Sequence, residues 1–338
     1  MLRQRGFSIV ELMVAITIGL LISTGLSIIF VNSTKANQEV QRFGEQIENG
    51  RIAMDMFSQD LRTAGFFDTL DITLMTPPGA LPDPCATAVA TLKSAAAIYV
   101  QGYDNTDGAL TCIDDYKIGT DVVVIRRGST CVAGVGSCAA VGAGSTYFQV
   151  TQCAPSDGGL TQLNAPDIAN QYMVATSTGD FTTFQRRDCI TQANVRRYIV
   201  HIYYVANNTE GTDGIPALKM VELGAGSFNT NTPTVIAPGI EQLQVEYGAD
   251  ADANGTPDAY SATAPTILTA PTIVAVKANF LSRNTSVSPG YRDTKTYSLG
   301  NKADGTENIV PAANDMIRRH VYSSMVLLSN PAGLRGGG

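Results

Sequence analysis

Oxygen-bearing side chains alternate over nine residues in the second half of the chain. The segment reads D-x-D-x-N-G-x-x-D, and its candidate ligands are Asp250, Asp252, Asn254, Thr256 and Asp258. Oxygen ligands at alternating positions suit a hard cation such as calcium, and the glycine allows a sharp bend. The twelfth position is Ser261 rather than Glu, so the segment is not an EF-hand. We expect a calcium site here, and an Asp/Asn/Gly turn between strands is the open alternative.

The six cysteines offer a second kind of chemistry, the formation of disulfides. All of them lie between residues 85 and 189, beyond an apolar N-terminal segment, and their number is even. That pattern is typical of a disulfide framework in an oxidising compartment, although six cysteines allow 15 connectivities. Proximity in the sequence favours a bond between Cys131 and Cys138. The pairs that then remain are Cys153 with Cys189 and Cys85 with Cys112.

A single carboxylate, Glu11, interrupts the apolar N-terminal segment. After a basic opening with Arg3 and Arg5, residues 7–31 include 17 Ala, Val, Ile, Leu, Met or Phe side chains among 25. As a helix this segment is about 37 Å long, enough to cross the roughly 30 Å hydrocarbon layer, so we predict a membrane span with its basic end in the cytoplasm. A carboxylate there costs on the order of 2.5 to 3.5 kcal/mol, so Glu11 should have a partner or snorkel to the interface.

The residues around this carboxylate resemble the type III signal of type IV pilins. The chain reads Gly6-Phe7-Ser8-Ile9-Val10-Glu11 directly after the basic leader. The resemblance implies that a prepilin peptidase cuts after Gly6 and that Phe7 becomes the methylated N-terminus. It also implies that Glu11 pairs with the N-terminal amine of a neighbouring subunit. An amine and a carboxylate that are each costly in lipid become tolerable as a pair.

Two further blocks resemble the PilW family of minor pilins. They are NGRIAM to DLRTAGF over residues 49–66, and RRHVYSSMVL over residues 318–327. The resemblance implies an α+β, type IV pilin-like fold, with a long N-terminal α-helix packed on a large, disulfide-braced antiparallel β domain. The expected segments are a cleaved leader at 1–6, a transmembrane and assembly helix at 7–31, its amphipathic continuation at 32–65, and a periplasmic β-rich domain at 66–338.

One helix must position the N-terminal chemistry, and the sequence predicts it from Phe7 to near Arg62. No proline occurs between residues 1 and 75, and Gly65 is a candidate C-cap. An apolar stripe with spacings of three and four predicts that the second half packs on its own domain. The stripe consists of Val40, Phe43, Ile47, Gly50, Met54, Phe57 and Leu61.

The chain after Gly65 has short apolar alternations separated by Gly, Asn, Asp, Pro and Thr clusters, which predict β-strands. Residues 75–93 and 132–144 are predicted loops. The segment 195–206 is apolar on both faces and is expected to be a central strand. The predicted strands are 96–101, 121–127, 147–152, 172–175, 181–186, 197–205, 217–223, 243–247, 273–281 and 320–328.

Composition and motif content exclude several classes of function. The chain has 30 acidic and 23 Lys or Arg residues, a net charge of −7, which is the wrong sign for wrapping a phosphate backbone. It contains no G-x-S-x-G, P-loop or H-E-x-x-H motif. His201 lies on a predicted strand, where packing is the expected role, and neither it nor His320 has zinc-like spacing to a cysteine pair. We therefore predict that the chain is not an enzyme.

The resemblance implies a minor pilin that joins other minor pilins in an initiation or tip complex and so primes type IV pilus assembly. The implied partners are other minor pilins, the major pilin, the prepilin peptidase, the inner membrane and a tip adhesin. The chain would cross the inner membrane once, with a periplasmic C-terminal domain, and then reach the pilus at the cell surface. The alternatives are a pseudopilin of a type II secretion system and an adhesin-like binder displayed at the tip.

Overall fold

The structure is a computed structural model that describes residues 8–105, 110–142, 144–156, 159–162, 168–224, 226–230 and 232–337. The leader and the expected processing residues Gly6 and Phe7 lie outside the described residues.

Helix α1 (Ile9–Arg62) is a single helix of 54 residues, about 80 Å long at 1.5 Å per residue. Its N-cap is Ser8, whose side chain accepts a hydrogen bond from the backbone N–H of Val10. The cap at the other end is Thr63, and Gly65 follows with a φ of 71°, a conformation that glycine adopts without strain. The prediction of one unbroken helix is confirmed, with the C-cap two residues earlier than expected.

The apolar stripe predicted on the second half of α1 is only partly correct. Met54, Phe57 and Leu61 pack as expected, but Val40, Phe43 and Ile47 remain 70%, 51% and 40% exposed. The buried face begins with Gln46, Gly50 and Ala53. Gly50 belongs to the predicted stripe, but Gln46 and Ala53 each lie one position before a stripe residue, which rotates the face by about 100° per residue of offset. The error arose because a polar residue, Gln46, makes the first buried contact with the domain.

The remaining described chain contains three short α-helices and fifteen strands. The helices are α2 (Val89–Ala95), α3 (Ile168–Gln171) and α4 (Ser329–Gly336). The strands are β1 (Val100–Tyr103), β2 (Val122–Val132), β3 (Tyr147–Val150), β4 (Cys153–Ser156), β5 (Gly159–Gln162), β6 (Tyr172–Ala175), β7 (Val195–Ala206), β8 (Ala217–Glu222), β9 (Thr234–Pro238), β10 (Ile240–Ala249), β11 (Ala259–Ser261), β12 (Ile273–Arg283), β13 (Tyr297–Asn301), β14 (Glu307–Val310) and β15 (Arg319–Leu327).

Two antiparallel sheets make up most of the globular domain. The larger sheet has seven strands, and β7 lies at its centre, where it pairs with β2, β3 and β8. The smaller sheet has the order β11-β10-β12-β15, so β15 lies at an edge. Two separate hairpins, β4 with β5 and β13 with β14, complete the set. The predicted α+β class and the central position of the 195–206 strand are both confirmed.

The end of α1 and both sheets share one continuous apolar core. Phe57 of α1 contacts Tyr203 of β7 and Phe280 of β12 edge to face, with ring centroids 5.1 Å and 5.6 Å apart. Aromatic pairs of this geometry add about 0.5 to 1.5 kcal/mol beyond their buried area. The helix therefore packs into the domain core from Gln46 onward, and before that point the ion pair of Glu39 with Arg318, 3.5 Å apart, joins it to the domain.

Several predicted elements differ from the structure. Residues 181–186 do not form a strand, and only an isolated bridge joins Gln185 to Gln192 there. The strand predicted at 96–101 begins at Val100, because a turn at the end of α2 occupies 96–98. Helix α2 itself lies mostly inside the predicted 75–93 loop. The sequence did not predict α4, β4, β5, β9, β11, β13 or β14.

Three disulfides brace the domain, and the described residues include no free cysteine. The pairs are Cys85–Cys112, Cys131–Cys138 and Cys153–Cys189, the same as those expected. They close loops in the chain between α1 and β7. Each removes conformational freedom from the unfolded chain, which stabilises long segments that contain little regular structure.

Candidate assembly site

The first half of α1 presents a continuous apolar surface without a partner in the described chain. Every large apolar side chain from Ile9 to Val31 is exposed. Helix α1 is long and apolar enough to cross a membrane. The polar side chains of Thr17, Thr24 and Ser27 donate to carbonyls of the preceding turn, which satisfies them within the helix. This surface can pack against lipid or against other apolar helices.

Glu11 lies in the first turn of α1 and forms a capping box with Ser8. Its Oε2 atom accepts the backbone N–H of Ser8 at 3.0 Å, while the Ser8 hydroxyl accepts from the N–H of Val10 at 3.4 Å. The carboxylate therefore points at the N-terminal end of the helix, where the backbone partial charge is positive. Ser8 directly follows Phe7, the expected mature N-terminus.

Hydrogen bonds and a close approach fix the second half of α1 to the smaller sheet. The amide of Gln46 donates to the carbonyls of Ser282 and Arg318 at 3.0 Å and 3.1 Å. Gly50 lies against the ring of Tyr322, so close that a Cβ atom at this position would collide with Cε2 of the ring. Hydrogen bonds from a polar side chain and the small size of a glycine, rather than an apolar stripe, therefore set where the helix first packs closely on the domain.

Asp60 joins the last turn of α1 to the larger sheet through a buried ionic cluster. Its Oδ1 atom accepts from Nε of Arg127 at 2.7 Å, and its Oδ2 atom lies 2.6 Å from Nδ1 of His201. The hydroxyl of Tyr203 donates to the same Oδ2 atom at 3.1 Å. Glu222 lies on the far side of the imidazole, with Oε2 3.8 Å from Nε2. Removing one member of such a buried cluster leaves a charge without compensation.

The cluster favours the charged forms of Asp60 and His201. Burial opposes ionisation of both groups, but hydrogen bonds and charges outweigh it. The imidazole of His201 and the guanidinium of Arg127 hold the pKa of Asp60 below its usual value. Hydrogen bonds to Asp60 and Glu222 raise the pKa of His201 above its usual value. His201, expected to be a packing residue, is thus an ionic partner that joins α1 to β7.

The acidic segment 250–258 forms a tight loop between β10 and β11. Carboxylate oxygens of Asp250, Asp252 and Asp258 all lie within 4.8 Å of one another, and only Asp250 is buried. Backbone N–H groups already occupy several of the oxygens: Gly255 and Asn254 donate to Asp250, and Ala251 donates to Asp258 at 2.7 Å. The oxygen set suits a hard cation.

A cationic side chain of the protein itself also reaches this loop. Arg335 of α4 donates from Nε to Oδ2 of Asp250 and from a terminal nitrogen to its backbone carbonyl, both at 2.8 Å. Burial tends to raise the pKa of Asp250, but Arg335 and the backbone donors lower it overall. The backbone N–H of Thr256 donates a hydrogen bond to Oδ1 of Asn254 at 2.7 Å. A cation would share Asp250 with Arg335.

Sequence reasoning identified Glu11 and the acidic loop but missed the residues that hold α1 to the domain. Gln46, Asp60 and Arg127 are polar residues in mainly apolar surroundings, and no local pattern links positions so far apart in the chain. Arg335 was missed because it belongs to a C-terminal helix that the sequence did not predict. The structure places Glu11 far along α1 from all of these groups, so the candidate sites are separate.

Two family models match this chain. The prokaryotic N-terminal methylation motif matches residues 1–27, and the type IV pilus-assembly protein W family, PilW, matches residues 202–330. The two matches support a PilW-type pilin with a type IV pilin methylation motif at its N-terminus. The matched segments include Glu11 at one end and β7 to β15 at the other. The block at residues 49–66, which also resembles this family, lies outside both segments.

Among solved structures, a type IV-like pilin from Thermus thermophilus matches this chain at 14% sequence identity. The match covers 55% of this chain and 84% of the other, with a TM-score of 0.25. No curated protein sequence matches the chain.

Proposed function

We propose that this PilW-type minor pilin primes type IV pilus assembly as part of a complex with other minor pilins. It would be held in the inner membrane by the first half of α1, with its β domain in the periplasm. The observation that carries the proposal is the division of α1 into an exposed apolar half and a half fixed in the domain core. Apolar helices of several such subunits can bundle while their domains remain separate folded units.

The position of Glu11 supports a defined start for that bundle. Its carboxylate accepts a hydrogen bond from the backbone N–H of Ser8. Ser8 would be the second residue of the chain after cleavage. Cleavage by prepilin peptidase after Gly6 would place a new amine beside this end of the helix. A carboxylate there can pair with the amine of an adjacent subunit, which offsets the cost of each charge in lipid. The pairing would set the axial position of one helix against the next.

A pseudopilin of a type II secretion system is the competing function, because it would use the same signal, carboxylate and helix. The PilW match over residues 202–330 favours the pilus. A clean deletion of the gene separates the two, with sheared surface pili and secreted enzymes quantified in the same strains. Loss of pili with normal secretion supports the proposal. Normal pili with enzymes trapped in the periplasm would contradict it.

The same deletion in a background that cannot retract pili tests the priming role. An initiator that retraction opposes should be partly dispensable once retraction is disabled, so we expect pili to return. Pili that stay absent would contradict an initiating role that retraction opposes. Complementation with the wild-type gene controls for effects on neighbouring genes.

We also propose that the acidic loop binds calcium, in competition with Arg335. The three carboxylates within 4.8 Å of one another support a cation there, which Asp250, Asp252 and Asp258 would hold. Calorimetry with calcium should give heat with the wild-type chain and none with an Asp250→Ala/Asp252→Ala variant. Arg335→Gln should bind more tightly, because it removes the competing charge. A wild-type chain that shows no calcium-dependent heat would contradict the proposal.

A further inference from the structure

Strand β15 forms one edge of the smaller sheet. It pairs with β12 along its whole length, from Leu327 opposite Ala275 to Arg319 opposite Arg283. In the described chain it has no strand on its other side. The pairing is antiparallel, so backbone groups of alternate residues point to opposite edges. Leu328 N–H donates to the carbonyl of Val274, and Asn284 N–H donates to the carbonyl of Arg318. These bonds show that the even-numbered residues of this strand bond to β12.

The odd-numbered residues of β15 therefore direct their backbone groups away from the sheet. They include Val321, Ser323, Met325 and Leu327, which together carry four N–H and four C=O groups at the open edge. Among the described residues, no hydrogen bond to these groups is present. Ser323, Met325 and Leu327 are exposed, the last two by 64% and 50%. Such an edge is a template for a further strand.

This edge lacks the features by which soluble proteins usually block strand addition. The segment from His320 to Leu327 contains no proline, lysine or glutamate, and its ladder with β12 runs without a bulge. The one strong cation of the strand, Arg319, is withdrawn from the edge into a cluster of Glu241, Asp293 and Asp315. The open part of the strand thus offers backbone groups beside two exposed apolar side chains.

Strand β15 also runs alongside the assembly helix. Nε of Arg318, at its start, lies 3.5 Å from Glu39, Tyr322 packs on Gly50, and Asn330 beyond its end reaches the carbonyl of Ala64. The strand and α1 therefore run in the same direction. A pilin whose helix packed beside α1 would bring its own globular domain to this flank. The exposed side chains of Val40, Phe43 and Ile47 extend the apolar surface of the span up to the domain.

We propose that the open edge of β15 accepts an extended strand from a different pilin, by β-augmentation. The added strand would pair with Val321, Ser323, Met325 and Leu327 and would place apolar side chains beside Met325 and Leu327. This inference rests on the proposed assembly with other pilins and names the contact that selects the partner. Main-chain hydrogen bonds supply affinity, and the two apolar side chains supply specificity.

A second copy of this chain fits the open edge of β15 less well than a different pilin does. Two copies can pair their β15 edges with both helices pointing the same way only through a two-fold axis parallel to the strands. That axis places the two α1 helices on opposite faces of the joined sheet, where they cannot bundle. Antiparallel pairing of the edges would make the helices run in opposite directions, which one membrane orientation forbids.

A proline at Met325 tests the backbone requirement in the full chain, expressed in its host in place of the native copy. Met325→Pro removes an outward N–H that the ladder with β12 does not use. Met325→Leu is the matched control, since it loses the same contact from the Tyr260 hydroxyl to sulfur but keeps the N–H. We expect at least a tenfold loss of Met325→Pro from sheared pili and no loss of Met325→Leu. Equal incorporation of the two variants would overturn the inference.

Photocrosslinking residues at Ser323 and Met325 keep the test valid if the proline variant does not fold. We expect adducts with one peptide of another pilin, and moving the probe by two residues should move the attachment site by two. The inference would be overturned by adducts with a second copy of this chain only, or by no adduct with any pilin. It would also be overturned by attachment sites that do not move by two residues when the probe does. If a gene deletion leaves piliation unchanged, the proposed function fails; if Met325→Pro restores pili like the wild type, only the strand contact fails.

Discussion

Asp60 is the residue on which the connection between helix and domain depends most. It is 6% exposed and holds Arg127, His201 and Tyr203 at one end of α1. A buried carboxylate is stabilising only when its charge is compensated and its lone pairs accept hydrogen bonds. Here each oxygen has at least one donor, and two of the donors carry charge when His201 is protonated.

His201→Gln should destabilise the folded chain at low pH more than at high pH. His201 binds its proton more tightly when folded, so its contribution is complete below the ordinary His pKa of about 6.5 and is lost as pH rises through the higher folded value. We expect a loss of about 1 to 3 kcal/mol at pH 6 that shrinks above pH 7. Urea unfolding of the full chain in detergent measures it, and an equal loss at all pH values would contradict the ionic role.

Asp121 should give a second, separate pH dependence. Burial raises its pKa to about 7, despite N–H groups of Asn105 and Val245 that donate to the carboxylate. The folded chain therefore holds a proton that the unfolded chain has lost, and stability falls between about pH 4 and 7, by up to about 1.4 kcal/mol per pH unit. Asp121→Asn should flatten this part of the stability curve. A slope that the variant leaves unchanged would contradict the assignment.

Two glycines of α1 provide a matched test of how the helix meets the sheet. A Cβ atom at Gly50 would collide with the ring of Tyr322, whereas one at Gly44 would meet nothing within 4 Å. Gly50→Ala should therefore destabilise the chain by about 1 to 3 kcal/mol through overpacking. Gly44→Ala should stabilise it by roughly 0.5 to 1 kcal/mol, because alanine favours the helix. Thermal unfolding of both variants compares them, and a stable Gly50→Ala chain would contradict the close approach.

The elements that the sequence could predict are those with strong local patterns. Helix α1 and the long strands β7, β10, β12 and β15 carry continuous apolar patterns of a clear period, so their existence was predictable. Strands such as β9, β11 and β14 are short and half exposed, and their pairing partners decide their conformation. The 181–186 segment has a strand-like composition, but it lies next to the Cys153–Cys189 disulfide and forms only an isolated bridge, between Gln185 and Gln192.

The candidate sites were predictable to different degrees for the same reason. Glu11 stood out because a lone carboxylate in an apolar segment is unfavourable, which is a property of local sequence. The Asp60 cluster and the contact between Arg335 and Asp250 join residues more than 60 positions apart, so only the fold could reveal them. The open edge of β15 depends on strand order, which local patterns do not determine.

The whole molecule combines an exposed apolar half-helix, about 35 Å long for residues 9–31, with a domain that packs on one face of the other half of the same helix. One end suits lipid or a helix bundle, and the other presents folded sheets and disulfide-braced loops. Because α1 is continuous between the two, the position of the helix in a bundle sets the position of the domain. A charge at the N-terminal end of the helix can therefore control where the whole subunit sits.

The most direct measurement is the amount of this chain in sheared pili when Glu11 is replaced by alanine. Thr17→Ala is the control, since it removes another polar side chain of the span, one that bonds only within its own helix. We predict that Glu11→Ala inserts into the membrane as well as the wild type but is strongly depleted from pili, whereas Thr17→Ala is incorporated normally. Normal incorporation of Glu11→Ala would contradict assembly through this carboxylate.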